Sequence, residues 1–520
     1  MPPRTFRIDV SAKIIADISS GIYRTPANAL KELISNSFDS DAKTAIITTN
    51  YPNFDVITCS DYGRGMTLSK FEQVMRRIGG SDKRSVESAI TPLGRPIIGK
   101  IGIGILAVAQ ICRKFTVISS TKDDKNQFEA VIDLKPFHDQ EAYKLNLRDQ
   151  KVNIGEYEAE EIEKEETDKS YTRIVLEEID EGFKSRLSDI PNKAVAGFKF
   201  KKTDPETFEE FIDWLKDKKT KDVPEYLRLL WELALISPIP YPKAGPVPNS
   251  KTMEVIKNRL LKYDFNVVVD GIKLLKPVLF PYPEDTKDRH FDWKTYDISY
   301  DDVVENSPLK FSGYIYHQNK AIIPPELRGL MIRIRNVGIG GYDRSFLGFP
   351  QSVGPIIAGM TGELYVEEGL EDALNIDRNS FRETDLHYIK LQEEIFDNLS
   401  KSREKGGILA DARYRSKIVQ DKKRSDLLAG EFDALEKTIQ KIYGRSLKIE
   451  RIDKQSDVPV RLNFPNSRIE IYSSCAVFPR SKKLRRLYEK ISIFHELSTY
   501  GCPEKSAIDS IFYSFLKERG

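Results

Sequence analysis

Glu32, Asn36 and Asp39 stand at i, i+4 and i+7, so a helix through them sets a carboxylate, an amide and a second carboxylate on one face. An amide oxygen is a hard ligand suited to Mg²⁺, and a carboxylate one turn away can orient a water and take its proton. The same three residues would also furnish the solvated side of an ordinary helix. Asp61 follows the apolar run FDVITCS and precedes Tyr62-Gly63-Arg64-Gly65-Met66. A strand there delivers an acceptor-only carboxylate to a turn whose glycines permit positive φ and close backbone approach. Such a group can take a hydrogen bond from an exocyclic amine such as that of adenine. Taken singly, the pattern is also that of many strand-to-loop turns.

A third candidate is Gly94 to Ala107, GRPIIGKIGIGILA. Gly94-x4-Gly99-Lys100 is close to a phosphate-binding P-loop, but Ile101 stands where a Ser or Thr should hold Mg²⁺. Gly102-Ile103-Gly104-Ile105-Leu106-Ala107 matches a dinucleotide-binding pattern with Asp123 about 20 residues on, but only a short Pro-Ile-Ile precedes it. The remaining reading is a glycine-rich loop opening a helix, whose free N–H groups and dipole would hold phosphates.

The elements that must position these residues are legible in outline. Residues 25–42 read as a helix, with Thr25 as N-cap, Pro26 in the first turn, and an apolar stripe of Ala29, Leu30, Leu33, Ile34 and Phe38. Strands are expected at 44–50, 54–60, 115–120, 128–134 and 172–176, with the acidic stretch 156–168 as a solvated excursion between two of them. Helices follow over 205–235, and the five prolines of 237–251 mark a boundary. A second α/β region runs over 252–400, with FNVVVDG, SGYIYHQNKAII and LMIRIRNVGIGG as strands and DLHYIKLQEEIFDNL as an amphipathic helix. Residues 401–445 are charged and helical, and 446–520 form a small mixed module. The fold class is thus α/β, with a second α/β domain and then a helical plus small mixed C-terminal region, in the order 1–200, 201–251, 252–400, 401–445 and 446–520.

Composition narrows the function. The 520 residues carry 81 Lys and Arg against 79 Asp and Glu, a net charge of +2 that excludes a globally basic nucleic-acid coat. Four dispersed cysteines in no CxxC pair argue against a zinc ribbon or a disulfide framework. The five histidines are equally scattered. No apolar run reaches the ~20 residues of a membrane span, and the expectation is a soluble, cytoplasmic protein with no membrane partner. The one compact basic patch, Arg480-Ser481-Lys482-Lys483-Leu484-Arg485-Arg486, reads as a solvated helix start or as a contact for nucleic acid or a partner.

The helix row, the Asp61 turn and the glycine run, in this order and spacing, resemble the GHKL ATPase superfamily with its Bergerat nucleotide fold. Glu32-Leu33-Ile34-Ser35-Asn36 is similar to the N-box of heat-shock protein 90 chaperones, and Asn36 to Ala42 to the MutL version. Asp61 to Met66 resembles the G1 box and Gly99 to Gly104 the G2 box. Tyr171 to Leu176 resembles the strand that supplies a threonine beside the adenine-binding aspartate. The resemblance covers roughly residues 6–180 and implies an N-terminal Bergerat-type α/β sandwich that takes ATP and Mg²⁺. Carried over, it makes Glu32 the general base, Asn36 the Mg²⁺ ligand and Asp61 the adenine acceptor supported by Thr172. Gly63 and Gly65 would line the base pocket, and Gly99, Gly102 and Gly104 would face the phosphates. Asp39, Met66, Lys100 and Ile101 complete the nucleotide-binding set. Residues 67–98 would be the mobile lid, with Ser81-Asp82-Lys83 as a polar stretch within it.

A fainter resemblance continues into a second, transducer- or middle-like domain. Leu374-Asn375-Ile376-Asp377-Arg378 is similar to a segment of the heat-shock protein 90 middle domain whose arginine reaches the γ-phosphate, although Asp377 and Asn379 depart from its serine and glutamate. It implies Arg378 as a catalytic cation; Lys320, placed like the transducer lysine of MutL and topoisomerase subunits, competes for that role. The expected activity is that of an ATP-gated homodimer driving a protein partner or client, closest to bacterial heat-shock protein 90-like and MORC-like ATPases, some of which act in anti-phage defence. A DNA-acting clamp or topoisomerase-B-like subunit, and a nucleotide-binding scaffold with little turnover, are the alternatives.

Overall fold

The computed structural model describes residues 4–11, 26–76, 90–99, 108–134, 151–164, 168–188, 207–215, 223–242, 245–277, 282–283, 286–350, 354–375, 379–400, 407–444, 446–463, 465–476 and 482–499. Two compact units divide the chain, Met1–Arg415 and Ser416–Gly520.

The first unit opens with β1 (Arg4–Ser11), α1 (Pro26–Asp39), β2 (Thr44–Thr48), β3 (Ile57–Asp61), α2 (Leu68–Arg76), β4 (Cys112–Ser120), β5 (Asn126–Asp133), β6 (Lys151–Glu163) and β7 (Tyr171–Ile179). Helices α3 (Glu181–Ser188), α4 (Thr207–Leu215), α5 (Glu225–Ile236) and α6 (Lys251–Lys262) follow, then the short strands β8 (Asn266–Val269) and β9 (Ile272–Lys273). One nine-stranded sheet takes the order β1-β6-β5-β4-β7-β3-β2-β8-β9. β8 and β9 therefore return to this sheet from beyond the proline-rich stretch, and β8 lies parallel to β2.

The apolar stripe of α1 is what fixes it. Leu30, Leu33, Ile34 and Phe38 are all buried against β2, β3 and α5, each stabilising the fold by ~1.5–3 kcal/mol. Phe38 meets Tyr263 and Phe265 edge-on at 5.6 and 5.2 Å, so the end of α1 is clamped to the segment that leads into β8. Thr25 lies outside the described residues. The acidic stretch is not an excursion: Glu156 to Glu163 belong to β6, which pairs with both β5 and β1. Tyr157 points into the core while Glu158 and Glu160 face outward, a period-2 alternation that the density of glutamate hides.

A second sheet, order β10-β11-β14-β12-β13, is built from β10 (Trp293–Val304), β11 (Ser307–Gln318), β12 (Gly329–Ile334), β13 (Val337–Asp343) and β14 (Met360–Glu368). The run LMIRIRNVGIGG is two strands rather than one. Arg335 and Asn336 take φ of +51° and +70° and turn the chain into a tight hairpin, as a two-residue turn with both central φ positive requires. α7 (Leu386–Ser400) packs on β10.

A buried polar cluster joins this sheet to the end of α5. Glu363 accepts from Arg333 Nε at 2.5 Å, Tyr241 OH at 2.6 Å, Tyr342 OH at 2.6 Å and Tyr365 OH at 3.0 Å. Arg333 also donates to the Leu235 carbonyl at 2.8 Å, and Lys276 donates to the Ser237 carbonyl at 2.7 Å. Burial alone would raise the pKa of Glu363; Arg333, and to a smaller extent Lys276 and Tyr241, pull it down to about 2. The charge is retained because it is compensated.

α8 (Ile408–Tyr443) begins in the first unit and continues into the second. The second unit is built from a three-stranded sheet, order β15-β17-β16, of β15 (Lys448–Ile452), β16 (Val460–Asn463) and β17 (Arg468–Tyr472), covered by α9 (Lys482–Thr499). Its core holds Ile439, Val460, Leu462, Ile469, Ile471 and Ile493. Among the described residues, no helix is long and apolar enough to cross a membrane.

Candidate functional site

Asp61 ends β3 in the centre of the first sheet, opposite Thr172 of β7, which in turn lies opposite Ser119 of β4. Three adjacent strands thus bring a carboxylate and two hydroxyls side by side. The Asp61 carboxylate is 6% exposed and accepts from Ser37 Oγ at 2.8 Å, Ser40 Oγ at 3.1 Å and the Gly63 N–H at 2.8 Å. Burial raises its pKa above the ordinary aspartate value, while the Gly63 N–H and the two serine hydroxyls pull it down. Three donors occupy three of the roughly four lone-pair sites of a carboxylate, leaving room for one further N–H. Ser119 Oγ lies 3.0 Å from Thr172 Oγ1, donates to the Tyr171 carbonyl at 2.7 Å and accepts from the Met66 N–H at 3.0 Å. Thr172 is therefore tied through Ser119 to the turn that Asp61 opens.

The glycines of that turn answer to the protein's own packing. A Cβ at Gly63 would lie 2.0 Å from Ser40 Oγ, and one at Gly65, whose φ is +63°, would lie 2.1 Å from the Ser120 carbonyl oxygen. The turn is pressed against the C-terminal end of α1 on one side and β4 on the other, with Arg64 N–H donating to the Ser40 carbonyl at 2.8 Å.

On α1 the expected row is present but its members differ. Glu32 is buried, Asn36 is exposed and Asp39 is half-buried. Asp39 accepts from the Ile98 and Gly99 N–H groups, each at 2.7 Å. It thus holds the chain entering the glycine-rich run. A Cβ at Gly99 would sit 3.0 Å from Asp39 Oδ2 and 3.9 Å from Asn36 Oδ1, which puts Gly99 beside both side chains. Four residues earlier, Arg95 is 1% exposed and donates to the Phe38 and Ala42 carbonyls at 3.2 and 2.7 Å and to the Tyr263 carbonyl at 3.0 Å. Its guanidinium lies 5.0 Å from the Phe38 ring centroid. A cation at the negative end of a helix satisfies carbonyls that no intrahelical N–H can reach.

Ser37, Ser40, Ser119 and Arg95 carry much of this geometry, and none was singled out from the sequence. The serines of the Asn36 to Asp41 run offered a signal in their density. Arg95, read only as part of the glycine run, offered none.

The second sheet reaches the same region. Leu374 and Phe381 bridge the base of a loop, and Asn379 at its end accepts from Lys31 Nζ at 3.3 Å, one residue before Glu32. Arg378 lies outside the described residues, as do Lys100, Ile101, Gly102, Gly104 and the Ser81-Asp82-Lys83 stretch. Lys320 pairs with Asp288 at 2.8 Å on a half-exposed surface. In the basic patch, Arg480 and Ser481 lie outside the described residues, and Arg485 is engaged at home with Glu489 at 3.3 Å and the Ser473 carbonyl.

The donor set suits a nucleotide and its metal. A buried carboxylate with room for a further donor stands at the end of a strand, and an exposed amide and a buried carboxylate line the helix that passes Gly99. Among the described residues, no group of three or more His, Cys, Asp or Glu could hold a metal by itself; a magnesium ion needs only one or two protein oxygens when phosphates and waters complete its shell. Residues 23–172 match the family model of histidine kinase-, DNA gyrase B- and HSP90-like ATPases. The match supports the GHKL superfamily for this segment. It spans the α1 row, the Asp61 turn, the glycine run and Thr172, and ends before the second sheet. The solved structure entitled "Crystal Structure of N terminal domain of a DNA repair protein" is similar with a TM-score of 0.38 and 12% identity, over 74% of this chain and 96% of that one. No curated protein matches the chain. The GHKL-type segment thus holds every described residue of the expected nucleotide site.

Proposed function

We propose that the protein is an ATP-binding and ATP-hydrolysing conformational switch that drives a partner or client cycle in the manner of heat-shock protein 90-like or MORC-like ATPases, closing as a homodimer. The observation that supports it most is Asp61: a buried carboxylate with three donors in place and capacity for one more, on the strand beside the helix that carries Glu32 and Asn36. Magnesium-bound ATP supplies the phosphoanhydride to be cleaved and the cation that offsets its charge. Asp61 accepts the adenine amine, and Thr172 with Ser119 keeps the neighbouring turn in place. The Asn36 amide oxygen would hold the metal. The buried Glu32 carboxylate orients a water and takes its proton. Asp39 holds the Ile98 and Gly99 N–H groups and so fixes the entry to the glycine run, whose glycines are assigned to the phosphates. Arg378 supplies the positive charge that phosphoryl transfer requires.

Two variants of the full chain test the reading. Glu32→Ala should bind ATP like the parent and lose about 10²-fold or more in turnover, the usual contribution of a positioned base. Asp61→Asn should lose ATP binding with its circular dichroism unchanged. Unaltered hydrolysis in the first, or parental affinity by calorimetry in the second, would overturn the assignment.

A further inference from the structure

The chain between Arg95 and Gly99 is held from three directions, and only one of them belongs to the nucleotide-binding segment. From α1, Asp39 takes the Ile98 and Gly99 N–H groups, and the carbonyls of Phe38 and Ala42 receive Arg95. From the end of α6, the Tyr263 carbonyl takes Arg95 as well. The third hold comes from the second sheet. Arg335, at the tip of the β12–β13 hairpin, donates through Nη1 to the Ile97 carbonyl and through Nε and Nη2 to Glu371 at 3.2 and 2.9 Å.

Several features make this contact a constrained one. The Arg335 side chain is only 9% exposed, so its charge is set against Glu371 with little water between them. The hairpin fixes its backbone: Arg335 and Asn336 both take positive φ. β12 runs parallel to β14, and Glu371 lies just past the end of β14 with its second oxygen accepting the Gly369 N–H at 3.2 Å. Both partners of the pair thus hang from neighbouring strands of one sheet. A planar guanidinium with five donors can serve a carbonyl and a carboxylate together, which an ammonium on a flexible stem cannot do as well.

We propose that Arg335, oriented by Glu371, is a positioning residue that sets the 95–99 segment and so couples the placement of the second sheet to the grip on the nucleotide's phosphates. The inference rests on the nucleotide site proposed above. Ile97 lies two residues before Gly99, so losing its tether leaves Arg95 and Asp39 to place the entry to the glycine run from the side of α1 and α6. Asp61 and Thr172 lie on other strands and do not depend on it. The base of the nucleotide would be held as before and the phosphates less well.

That asymmetry is the test. Full-length parent, Arg335→Ala, Arg335→Lys and Glu371→Gln are titrated by calorimetry with ATP and, separately, with adenosine. Arg335→Ala should weaken ATP about 10- to 100-fold, the scale of one hydrogen bond to a charged group, and leave adenosine affinity unchanged. Arg335→Lys, which keeps the charge on a single donor nitrogen, and Glu371→Gln, which keeps the acceptor without its charge, should lose a few-fold each for ATP alone. These two conservative variants carry the test should the alanine variant fail to fold. Equal losses for ATP and adenosine would mark a merely structural pair and overturn the proposal, as would parental ATP affinity in all three variants. A parent that binds neither ligand would refute the nucleotide site itself, and this proposal with it.

Discussion

Replacing Asp39 by alanine removes the acceptor for two neighbouring N–H groups, and the consequence can be worked out from their geometry. Both hydrogen bonds measure 2.7 Å and end on a carboxylate. Each such bond contributes about 1.5–3 kcal/mol, so the ceiling is about 3–6 kcal/mol. Two effects lower it. Asp39 is only half-buried, so water recovers part of the loss. It is also the last residue of α1, where a carboxylate faces the negative end of the helix, and removing it relieves about 0.3–1 kcal/mol. A local loss of roughly 2–3 kcal/mol remains, equivalent to about 30- to 150-fold. Amide hydrogen exchange reads it directly: protection at Ile98 and Gly99 should fall by that factor while β3, β4 and β7 keep theirs. Asp39→Asn, with one oxygen left to accept, should show about half the effect in free energy. Unchanged protection at the two amides would refute the tether. A uniform loss across the sheet would show that Asp39 acts through global stability instead.

Two further outcomes are expected. Arg378→Ala should lower steady-state ATP turnover about 10³-fold, the lower end for a charge aimed at the transferring phosphoryl group, with ATP affinity close to the parent. Lys320→Ala should do much less, because Lys320 already pairs with Asp288; an inactive Lys320 variant with an active Arg378 variant would reverse the assignment. Glu363→Gln should cost about 3–5 kcal/mol in thermal or urea denaturation by leaving Arg333 buried without its counter-charge. Because the folded pKa of Glu363 is lowered from 4.5 to about 2, its contribution is complete above pH 4.5 and fades as the pH falls toward 2. A Gln variant as stable as the parent at neutral pH, or one with the same decline in stability below pH 4.5, would refute it.

Local pattern carried the first sheet a long way. The α1 stripe, the β2, β3, β4, β5 and β7 runs and the Asp61 turn are readable because apolar period and turn chemistry agree there. β6 was hidden by its own charge: with Glu at most outward positions, only Tyr157 and Ala159 report the buried side. The β12–β13 hairpin was hidden by the opposite fault, an apolar run whose turn is Arg-Asn rather than a glycine pair, so nothing broke the strand on paper. For the site, residue types and spacing pointed to groups whose chemistry suits binding or proton transfer. They did not identify what holds those groups, since Ser119, Arg95 and Arg335 act on atoms far along the chain. Asp39 is instructive, because its carboxylate was read as part of the nucleotide-binding set and the structure shows that it also accepts from two backbone amides.

The parallel pairing of β2 with β8 also bears on how the protein is made. Thr44 of β2 pairs with Asn266 of β8, about 220 residues later in the chain. At 5–20 residues per second, the ribosome takes roughly 10–40 s to deliver the partner after β2 has been translated. Until then β2 is an open edge beside the strand that carries Asp61, with Ala45 and Ile47 still waiting for the cover they have in the finished sheet. An unpaired apolar edge recruits other strands, so the nascent chain passes through a long interval in which it is prone to aggregate or in need of a chaperone. Expression at lower temperature or with holdases co-produced should therefore raise the yield of the whole chain, and ribosome-stalled chains that end before residue 266 should be the species that such holdases retain.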